Sequence, residues 1–446
     1  MSLANKAAYI LVIFCMIFTT VAYGAVHQPI IALFYVVVGA IVVLWAIDCY
    51  RSGAVRLSLH PLQLPLLAAA LYGFFQVIPF GWYSIAGVGN IRRTISLDPY
   101  STEITSIHLL SLLLLFSMTL ALIDRTGRIR QVVAIITIFG FIFAFFAILQ
   151  GVLSPTKIYG IYERQFSQPY GSFVNRHNFA AYMEMTTALP LAMVLTGAAR
   201  KDQRLLYLTA ILLMAVALVL SGSRGGLVAL IVELLMLVMI TAPVRSSRKL
   251  ILRLGVAAVI LTAVIAGAIF VGGESSLTRI AETASSKDVS SNRTQIWSVT
   301  LDVIGKNFPF GAGIGAFGVA YTAVDPLSGI ERAEQAHNDY LQVAADAGII
   351  GVLIDGAFLF LLVSTLLKNY RTENVFRRAV VIGSAAGIFG VLVHSMFDFV
   401  LHTTAVSVLF LILTALLVNS GYKFEDDVLL EHDRPRRRGS VLPLRK

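Results

Sequence analysis

Charge and cysteine are both scarce in this sequence. Of its 446 residues only 13% are charged, whereas 57% are hydrophobic, and the mean hydropathy is +0.80. Such a composition is typical of a membrane protein with many spans and argues against a soluble globule. The two cysteines, Cys15 and Cys49, fall in or beside apolar segments, which argues against a disulfide framework and against a cysteine metal site.

Apolar runs near the length needed to cross a bilayer follow one another along the chain. Twelve candidate spans are predicted at about 7–25, 29–49, 62–80, 105–123, 131–151, 178–198, 205–222, 226–242, 251–271, 347–367, 379–397 and 402–420. The expected fold is therefore all-α, a polytopic membrane bundle of about 12 transmembrane helices. The first run resembles a signal peptide, with Lys6 before it, but we interpret it as an uncleaved span.

Basic residues predict the orientation, because cytoplasmic loops carry an excess of Lys and Arg. With the N-terminus inside, every short cytoplasmic loop carries at least two basic residues, and both termini are cytoplasmic. The domain prediction has four parts: spans one to nine in 1–271, a partly helical periplasmic catalytic loop in 272–346, spans ten to twelve in 347–420, and a basic tail in 421–446.

The net charge of +10 does not by itself indicate a nucleic-acid partner, because this topology explains most of it. The tail contains Arg434-Pro435-Arg436-Arg437-Arg438. A nucleic-acid patch is one reading of this run, but we favour contact with the anionic head groups of membrane lipids.

The long polar segment 272–344 is interpreted as an active-site loop, since structureless stretches of this length inside compact proteins are usually functional or disordered. Three external arginines are candidates: Arg176 where the sixth span begins, Arg224 at the tip of a tight hairpin between two spans, and Arg293 at the start of an amphipathic segment. Together they suit a phosphate-rich head group, because guanidinium forks bind phosphate oxygens bidentately. Glycines after Arg224 would let backbone and ligand approach closely. The alternative is that the arginines snorkel or pair with Glu163, Glu184 or Asp339.

His337 is the best candidate for acid–base chemistry, because an unperturbed imidazole titrates near neutrality. We expect it to open a helix and to share a face with Tyr340, Leu341 and Ala344. Asn338, Asp339 and Tyr340 are possible supporting residues, and His177 is a second candidate. His394, Asp398 and His402 cap the last external hairpin and are interpreted as a packing network.

Metal and nucleotide motifs are missing from the external loops. These loops contain no Asp-x-Asp or Glu-x-Asp pair and no His/Cys/Asp cluster with metal spacing, so neither a metal nor a cofactor is expected. Gly313-x-Gly315-x-x-Gly318 matches the dinucleotide fingerprint in letters only, because no strand precedes it. We interpret it as a flexible turn after Pro309.

Five short motifs together resemble the O-antigen ligase family of membrane glycosyltransferases. The motifs occur in order over roughly residues 165–400 and comprise Gly171-Ser172-Phe173-Val174-Asn175-Arg176-His177-Asn178, Ser223-Arg224-Gly225-Gly226, Arg293-x-x-x-Trp297, Pro309-x-Gly311-x-Gly313, and His337-Asn338-Asp339-Tyr340-Leu341-Gln342 with Gly348-Ile349-x-Gly351. The first 150 residues are similar only in being apolar.

The resemblance implies a function. Such enzymes take a glycan from undecaprenyl diphosphate at the periplasmic face of the bacterial inner membrane, and the ligases attach it to a sugar of lipid A–core. The family's essential histidine corresponds to His337, and its donor-binding arginines to Arg224 and Arg293; Arg176 matches a further family position. Metal-independent, inverting displacement by the acceptor hydroxyl is expected, with arginines stabilising the diphosphate leaving group.

Other functions stay open at this point. An O-antigen polymerase or a protein O-oligosaccharyltransferase would use the same donor. A lipid or polysaccharide transporter fits twelve spans equally well, and Glu184 and Glu233 inside predicted spans favour it. A structural or sensor protein is ranked last because of the external arginines.

Overall fold

A computed structural model describes residues 2–163 apart from 86 and 88, then 168–241, 293–326 and 333–422. Between 242 and 292 it describes positions 255, 258 and 262 alone. Apart from these three positions, three predicted parts of the chain lie outside the described residues: the ninth span, the loop up to residue 292, and the tail from 423 onward.

Long helices dominate the first part of the chain, with two short hairpins between them. The helices are α1 (Leu3–Val21), α2 (Gln28–Ser52), α3 (Gln63–Gln76), α4 (Pro99–Leu122) and α5 (Thr126–Leu153). A 3₁₀ turn (Tyr23–Ala25) links α1 to α2. The antiparallel hairpins are β1 (Gly81–Ile85) with β2 (Gly89–Arg93), and β3 (Lys157–Ile158) with β4 (Tyr162–Glu163).

The remaining helices surround the candidate site. They are α6 (Arg176–Leu195), α7 (Arg204–Leu220), α8 (Arg224–Thr241), α9 (Arg293–Lys306), α10 (Phe317–Thr322), α11 (Asp339–Asn369), α12 (Val375–His394) and α13 (Thr404–Asn419). Within α11 the backbone leaves the helical conformation at Gly348, where φ is 60° and ψ is −151°.

The expected all-α polytopic class is confirmed. Among the described residues, seven helices are long and apolar enough to cross a membrane, and α7 and α13 are shorter apolar helices. Eleven of the twelve predicted spans overlap a described helix, and the ninth lies outside the described residues. The count of about twelve spans and the division into domains stay predictions.

Close helix packing in the interior explains how polar residues come to be buried there. Helix α12 packs against both α6 and α8. A Cβ atom added at Gly383 would lie 2.9 Å from Cβ of Ala192, and one added at Gly387 would lie 3.1 Å from Cα of Met185. Because the two backbones approach so closely, α6 is buried along most of its length, and so is Glu184.

The described part of the predicted loop folds onto the bundle around a small core of its own. This core includes Val299 and Val303 of α9 and Phe317 and Tyr321 of α10. Helix α9 begins at Arg293 and buries Val299 and Val303, whereas its Leu301 is 59% exposed.

The glycine-rich turn between α9 and α10 is packed closely and is not the flexible turn that its composition suggested. Gly311, Gly313 and Gly315 all have positive φ, between 78° and 112°. The amide of Gly313 donates to the main-chain carbonyl of Asp346 at 2.9 Å, and a Cβ on Gly311 would collide with that carbonyl. Glycine is therefore required so that the turn can pack against α11.

Candidate active site

Asp398, in the loop between α12 and α13, organises the site. Its side chain is 1% exposed, and Nη2 of Arg293 lies 2.9 Å from Oδ2. Nδ1 of His337 lies 3.0 Å from Oδ1, and Nδ1 of His177 lies 3.5 Å from Oδ2. One carboxylate thus collects side chains from three separate segments. These four residues are called the Asp398 cluster below.

Asp398 is ionised in this environment. Burial by itself raises the pKa of the carboxyl, but the hydrogen bond from His337 and the charges of His177 and Arg293 outweigh burial and hold the pKa well below its usual range. Because Asp398 accepts, the shared proton belongs to Nδ1 of His337. The other ring nitrogen, Nε2, then carries a lone pair, as a general base requires.

His337 precedes α11 and does not open it. Its φ is +50°, a left-handed conformation that is uncommon for residues other than glycine, and the helix begins two residues later at Asp339. The expectation that His337 shares a helical face with Tyr340 and Leu341 is therefore wrong. Its ring packs edge-on against Phe399 with 4.9 Å between centroids, and its side chain is 32% exposed.

The three residues after His337 tie the start of α11 to the end of α12 and to the loop between α12 and α13. Asn338 caps the helix by accepting from the amides of Tyr340 and Leu341, and its Nδ2 donates to the Met396 carbonyl at 3.0 Å. Asp339 Oδ1 lies 2.7 Å from Nδ1 of His402. The Tyr340 hydroxyl donates to the Leu392 carbonyl at 2.8 Å. All three hold His337 in place through the backbone.

Arg293 forms an ion pair, but with a partner different from those considered in the sequence. The partners considered from the sequence were Glu163, Glu184 and Asp339, whereas the observed partner is Asp398. Its Nη1 also donates to the Phe397 carbonyl. The guanidinium therefore fixes both the side chain and the backbone of the Asp398 loop.

Arg176 and Arg224 open two helices whose first turns touch. Nδ1 of His177 lies 2.8 Å from Oγ of Ser223, the residue before Arg224. A Cβ atom on Gly222 would lie 3.4 Å from Nη1 of Arg176. The two arginines therefore belong to one patch of the surface, and Arg224 is exposed there.

The N-terminal ends of four helices meet in this region. Helices α6, α8 and α9 begin at Arg176, Arg224 and Arg293, and α11 begins just after His337. Each N-terminus carries a partial positive charge. Together with the arginine side chains, this arrangement suits an anion such as a phosphate.

The roles of Asp398, Ser223 and Glu184 in the site were not predicted from the sequence. Asp398 was read as part of a packing network, but it is the centre of the cluster, and His402 instead pairs with Asp339. Ser223 and Glu184 are linked to the cluster through His394. Asp398 could have been found from the sequence as a single carboxylate in a short loop that is predicted to lie on the same side of the membrane as His337 and Arg293.

The glycines after Arg224 make room for side chains of the protein and not for a ligand. A Cβ atom on Gly225 would lie 2.7 Å from Cδ2 of His394. One on Gly226 would lie 2.7 Å from Cβ of Ala180 and 3.1 Å from Oε1 of Glu184. The expectation of close ligand approach at these glycines is therefore wrong.

A cavity of about 870 Å³ adjoins the cluster, and His337 lines it. Its walls come from several helices and are mainly apolar, with polar groups at Tyr35, His108, Asp355 and His402. Its size is in the range of small-molecule binding pockets.

Arg93 lies apart from the cluster. The guanidinium of Arg93, on β2, lies 5.3 Å from the ring centroids of both Phe80 and Tyr83. Arg93 thus packs within its own hairpin.

Within the described part of the chain, no group of three or more His, Cys, Asp or Glu side chains could hold a metal ion.

The comparison with known families agrees with the motifs. Residues 209–354 match the family model described as O-antigen ligase, which confirms the resemblance over that stretch. The match includes Arg224, Arg293 and His337, whereas Arg176, His177 and Asp398 lie outside it. No curated protein matches the chain. The match supports a membrane enzyme of the O-antigen ligase or polymerase type.

Proposed function

We propose that this protein is an O-antigen ligase of the bacterial inner membrane. It transfers a glycan from undecaprenyl diphosphate to a sugar hydroxyl of lipid A–core, with its site facing the periplasm. The family match over residues 209–354 supports the general type of reaction. The geometry of the Asp398 cluster supports the specific roles below.

The observation that carries the proposal is the contact between His337 and Asp398. Nδ1 of His337 lies 3.0 Å from a buried carboxylate oxygen, while the ring stays accessible at the edge of a large cavity. A carboxylate in this position holds the imidazole in one tautomer and stabilises the imidazolium that forms. His337 is therefore the general base that takes the proton from the acceptor hydroxyl through Nε2.

The donor diphosphate binds where the arginines and the helix N-termini meet. Arg224 and Arg176 contact phosphate oxygens, and Arg293 adds a third positive charge while it holds Asp398. As the glycosidic bond breaks, negative charge grows on the diphosphate, and preorganised donors stabilise that charge.

Direct attack completes the reaction. The acceptor oxygen forms a bond to the anomeric carbon as the bond to the diphosphate breaks, which inverts the anomeric centre. The proton passes to His337, and the electron pair leaves with the diphosphate. In this scheme arginines neutralise the leaving group, so neither a metal nor another cofactor is required.

An O-antigen polymerase or a protein O-oligosaccharyltransferase remains the nearest alternative, because each uses the same donor. The transporter alternative loses its main support. Glu184 accepts from His394 and is fully buried, as is Glu233, and neither lines the described cavity.

The test is incubation of the purified protein with undecaprenyl-diphosphate glycan and lipid A–core in detergent, without a gradient. A glycosylated lipid A–core product is expected, also in the presence of a chelator. A product formed only when a second lipid-linked glycan is the acceptor would identify a polymerase. Activity that is lost on chelation and restored by one divalent ion would refute the metal-independent mechanism.

A further inference from the structure

A line of hydrogen bonds runs from the Asp398 cluster into the buried interior. Nδ1 of His177 lies 2.8 Å from Oγ of Ser223, which lies 3.3 Å from Nε2 of His394. Nδ1 of His394 in turn lies 2.8 Å from Oε1 of Glu184. These four residues are called the inner chain. Glu184 and His394 are fully buried, and the proposed reaction gives them no role.

We propose that Glu184 and His394 are positioning residues of the active site. Through Ser223 they fix His177 against Asp398, and they fix the first turn of α8, which carries Arg224. This inference rests on the proposed function, because it assigns the inner chain to the same reaction.

The direction of every hydrogen bond in the chain is determined by its two ends. Asp398 is a carboxylate, so the nearest nitrogen of His177 carries a proton and donates to Oγ of Ser223. The Ser223 hydroxyl then donates to Nε2 of His394. The proton of His394 is left on Nδ1, which donates to Glu184. One terminal acceptor thus sets the tautomers of two histidines.

The chain and the first turn of α8 form one packed unit. Oγ of Ser223 also accepts from the amide of Gly226 at 3.1 Å, and so caps the helix that starts at Arg224. The spaces at Gly225 and Gly226 are filled by His394 and Glu184. The Ser-Arg-Gly-Gly motif is explained by these contacts, because only glycine admits the two buried side chains.

The charged groups around the cluster decide the sign of the expected pH effect. Asp398 is faced by Arg293 from α9, by His337 before α11, and by His177 from α6, which follows Arg176. His394 is faced by Glu184, Asp398 and Arg293, and Glu184 by Glu233 of α8. If Ser223 no longer accepts from His177, the proton on Nδ1 is free to be donated to Asp398, whose Oδ2 lies 3.5 Å away. Asp398 then accepts less strongly from His337, which disfavours the imidazolium.

The experiment compares the pH–rate profiles of four single variants with the profile of the wild type, all as full-length protein. Ser223→Ala removes one oxygen from the chain, and Glu184→Met removes the terminal acceptor at similar size. Both should lower turnover by about 10- to 100-fold, because small misplacements of a catalytic group have effects of that size. In Ser223→Ala, the acidic limb of the profile should move to lower pH, because the imidazolium of His337 is then less stabilised. Glu184→Gln keeps an acceptor oxygen and should restore most of the activity.

Glu233→Met is the matched control. Glu233 is as buried as Glu184 and lies beside it, but its carboxyl oxygens make no hydrogen bond with the described residues. This variant should keep the turnover and the pH profile of the wild type. Thermal unfolding of each variant shows whether the protein is folded, and Ser223→Ala is the smallest change, so it is the decisive variant if Glu184→Met unfolds.

The double variant separates a shared path from two independent effects. If Glu184 acts through Ser223, the variant with Ser223→Ala and Glu184→Met should be no slower than Ser223→Ala alone, within about twofold. Multiplied losses, an unshifted profile in folded Ser223→Ala, or an equal loss in Glu233→Met would overturn the inference. If the wild type forms no product, it is the proposed function that fails, since no variant is involved in that result.

Discussion

The two ends of the helix bundle contain similar polar residues but use them differently. At the end where α1 and α5 begin, Asn5 donates to Asp48 at 2.7 Å, and Arg128 donates to Asn5 at 2.7 Å. These three residues are called the Asn5 cluster. At the opposite end is the Asp398 cluster. Each cluster has an arginine and an aspartate, and its side chains come from separate segments, three in the Asn5 cluster and four in the Asp398 cluster.

Accessibility distinguishes the two clusters. Arg128 is 2% exposed, and its Nη1 also donates to the Leu122 carbonyl, so its charge is used inside the protein. In the Asp398 cluster Arg293 is 21% exposed and His337 is 32% exposed, and a cavity lies beside them. A polar cluster that is closed on all sides stabilises the fold, whereas one that opens onto a cavity can act on a substrate. Mutations at both ends test this distinction.

The largest effect is expected for Asp398→Asn. The amide would place a donor where Asp398 now accepts, so His337 would lose the tautomer that leaves Nε2 free. The corresponding change in a Ser-His-Asp triad lowers turnover by ~10⁴-fold, and a loss on the order of 10⁴-fold is expected here. Steady-state turnover with saturating donor measures it. Turnover within tenfold of the wild type would show that Asp398 is as structural as Asp48.

His337→Ala tests the general base directly. A general base contributes ~10²–10⁴-fold, so turnover should fall by about that factor while donor affinity stays nearly unchanged. Donor binding and single-turnover rate are measured for His337→Ala and His337→Gln. A normal rate at saturating donor in His337→Ala would reject the assignment, and a normal rate in His337→Gln alone would indicate a hydrogen-bonding role.

Arg224→Lys and Arg293→Lys keep the charge and remove the planar fork. Lysine cannot bind phosphate oxygens bidentately, and at 293 it also cannot hold both the Asp398 carboxylate and the Phe397 carbonyl. Loss of one hydrogen bond to a charged group costs about 1.5 kcal/mol or more, so turnover should fall by about tenfold or more. If both variants express well and act at the normal rate, the arginines do not bind the donor.

The sequence predicted the helices of the bundle better than the contacts of the site. The 3.6-residue period is not needed to find a span; length and hydropathy are enough, so α1, α2 and α5 were located within a few residues. His337 and Arg293 were found because a histidine and an arginine are unusual at these places. Their common partner was not found, since Asp398 lies 105 residues after Arg293 and only packing brings the two together.

The interior contacts could not be predicted for a related reason. Glu184 and Glu233 both occur in apolar runs, and the sequence does not show that one of them meets His394 while the other does not. Gly225 and Gly226 were assigned to ligand approach, but their partners are side chains from α6 and α12. Local rules describe which residues are unusual; tertiary packing decides what they touch.

The smallest effect on turnover is expected for Asn5→Ala, at the closed end. This change removes the acceptor for Arg128 and the donor to Asp48, both within the protein, and leaves buried polar groups unpaired. Each unpaired buried group costs about 1–3 kcal/mol of unfolding free energy, so the variant should unfold at a lower temperature. Turnover per folded molecule should equal that of the wild type, because none of the three residues of the Asn5 cluster lines the cavity. His177→Ala is the matching variant in the Asp398 cluster. Its turnover should fall, but its stability should change little, because the His177 side chain is partly accessible. Thermal unfolding and turnover are measured on the same preparations. A lower turnover in fully folded Asn5→Ala would contradict the division of the molecule into a structural end and a catalytic end.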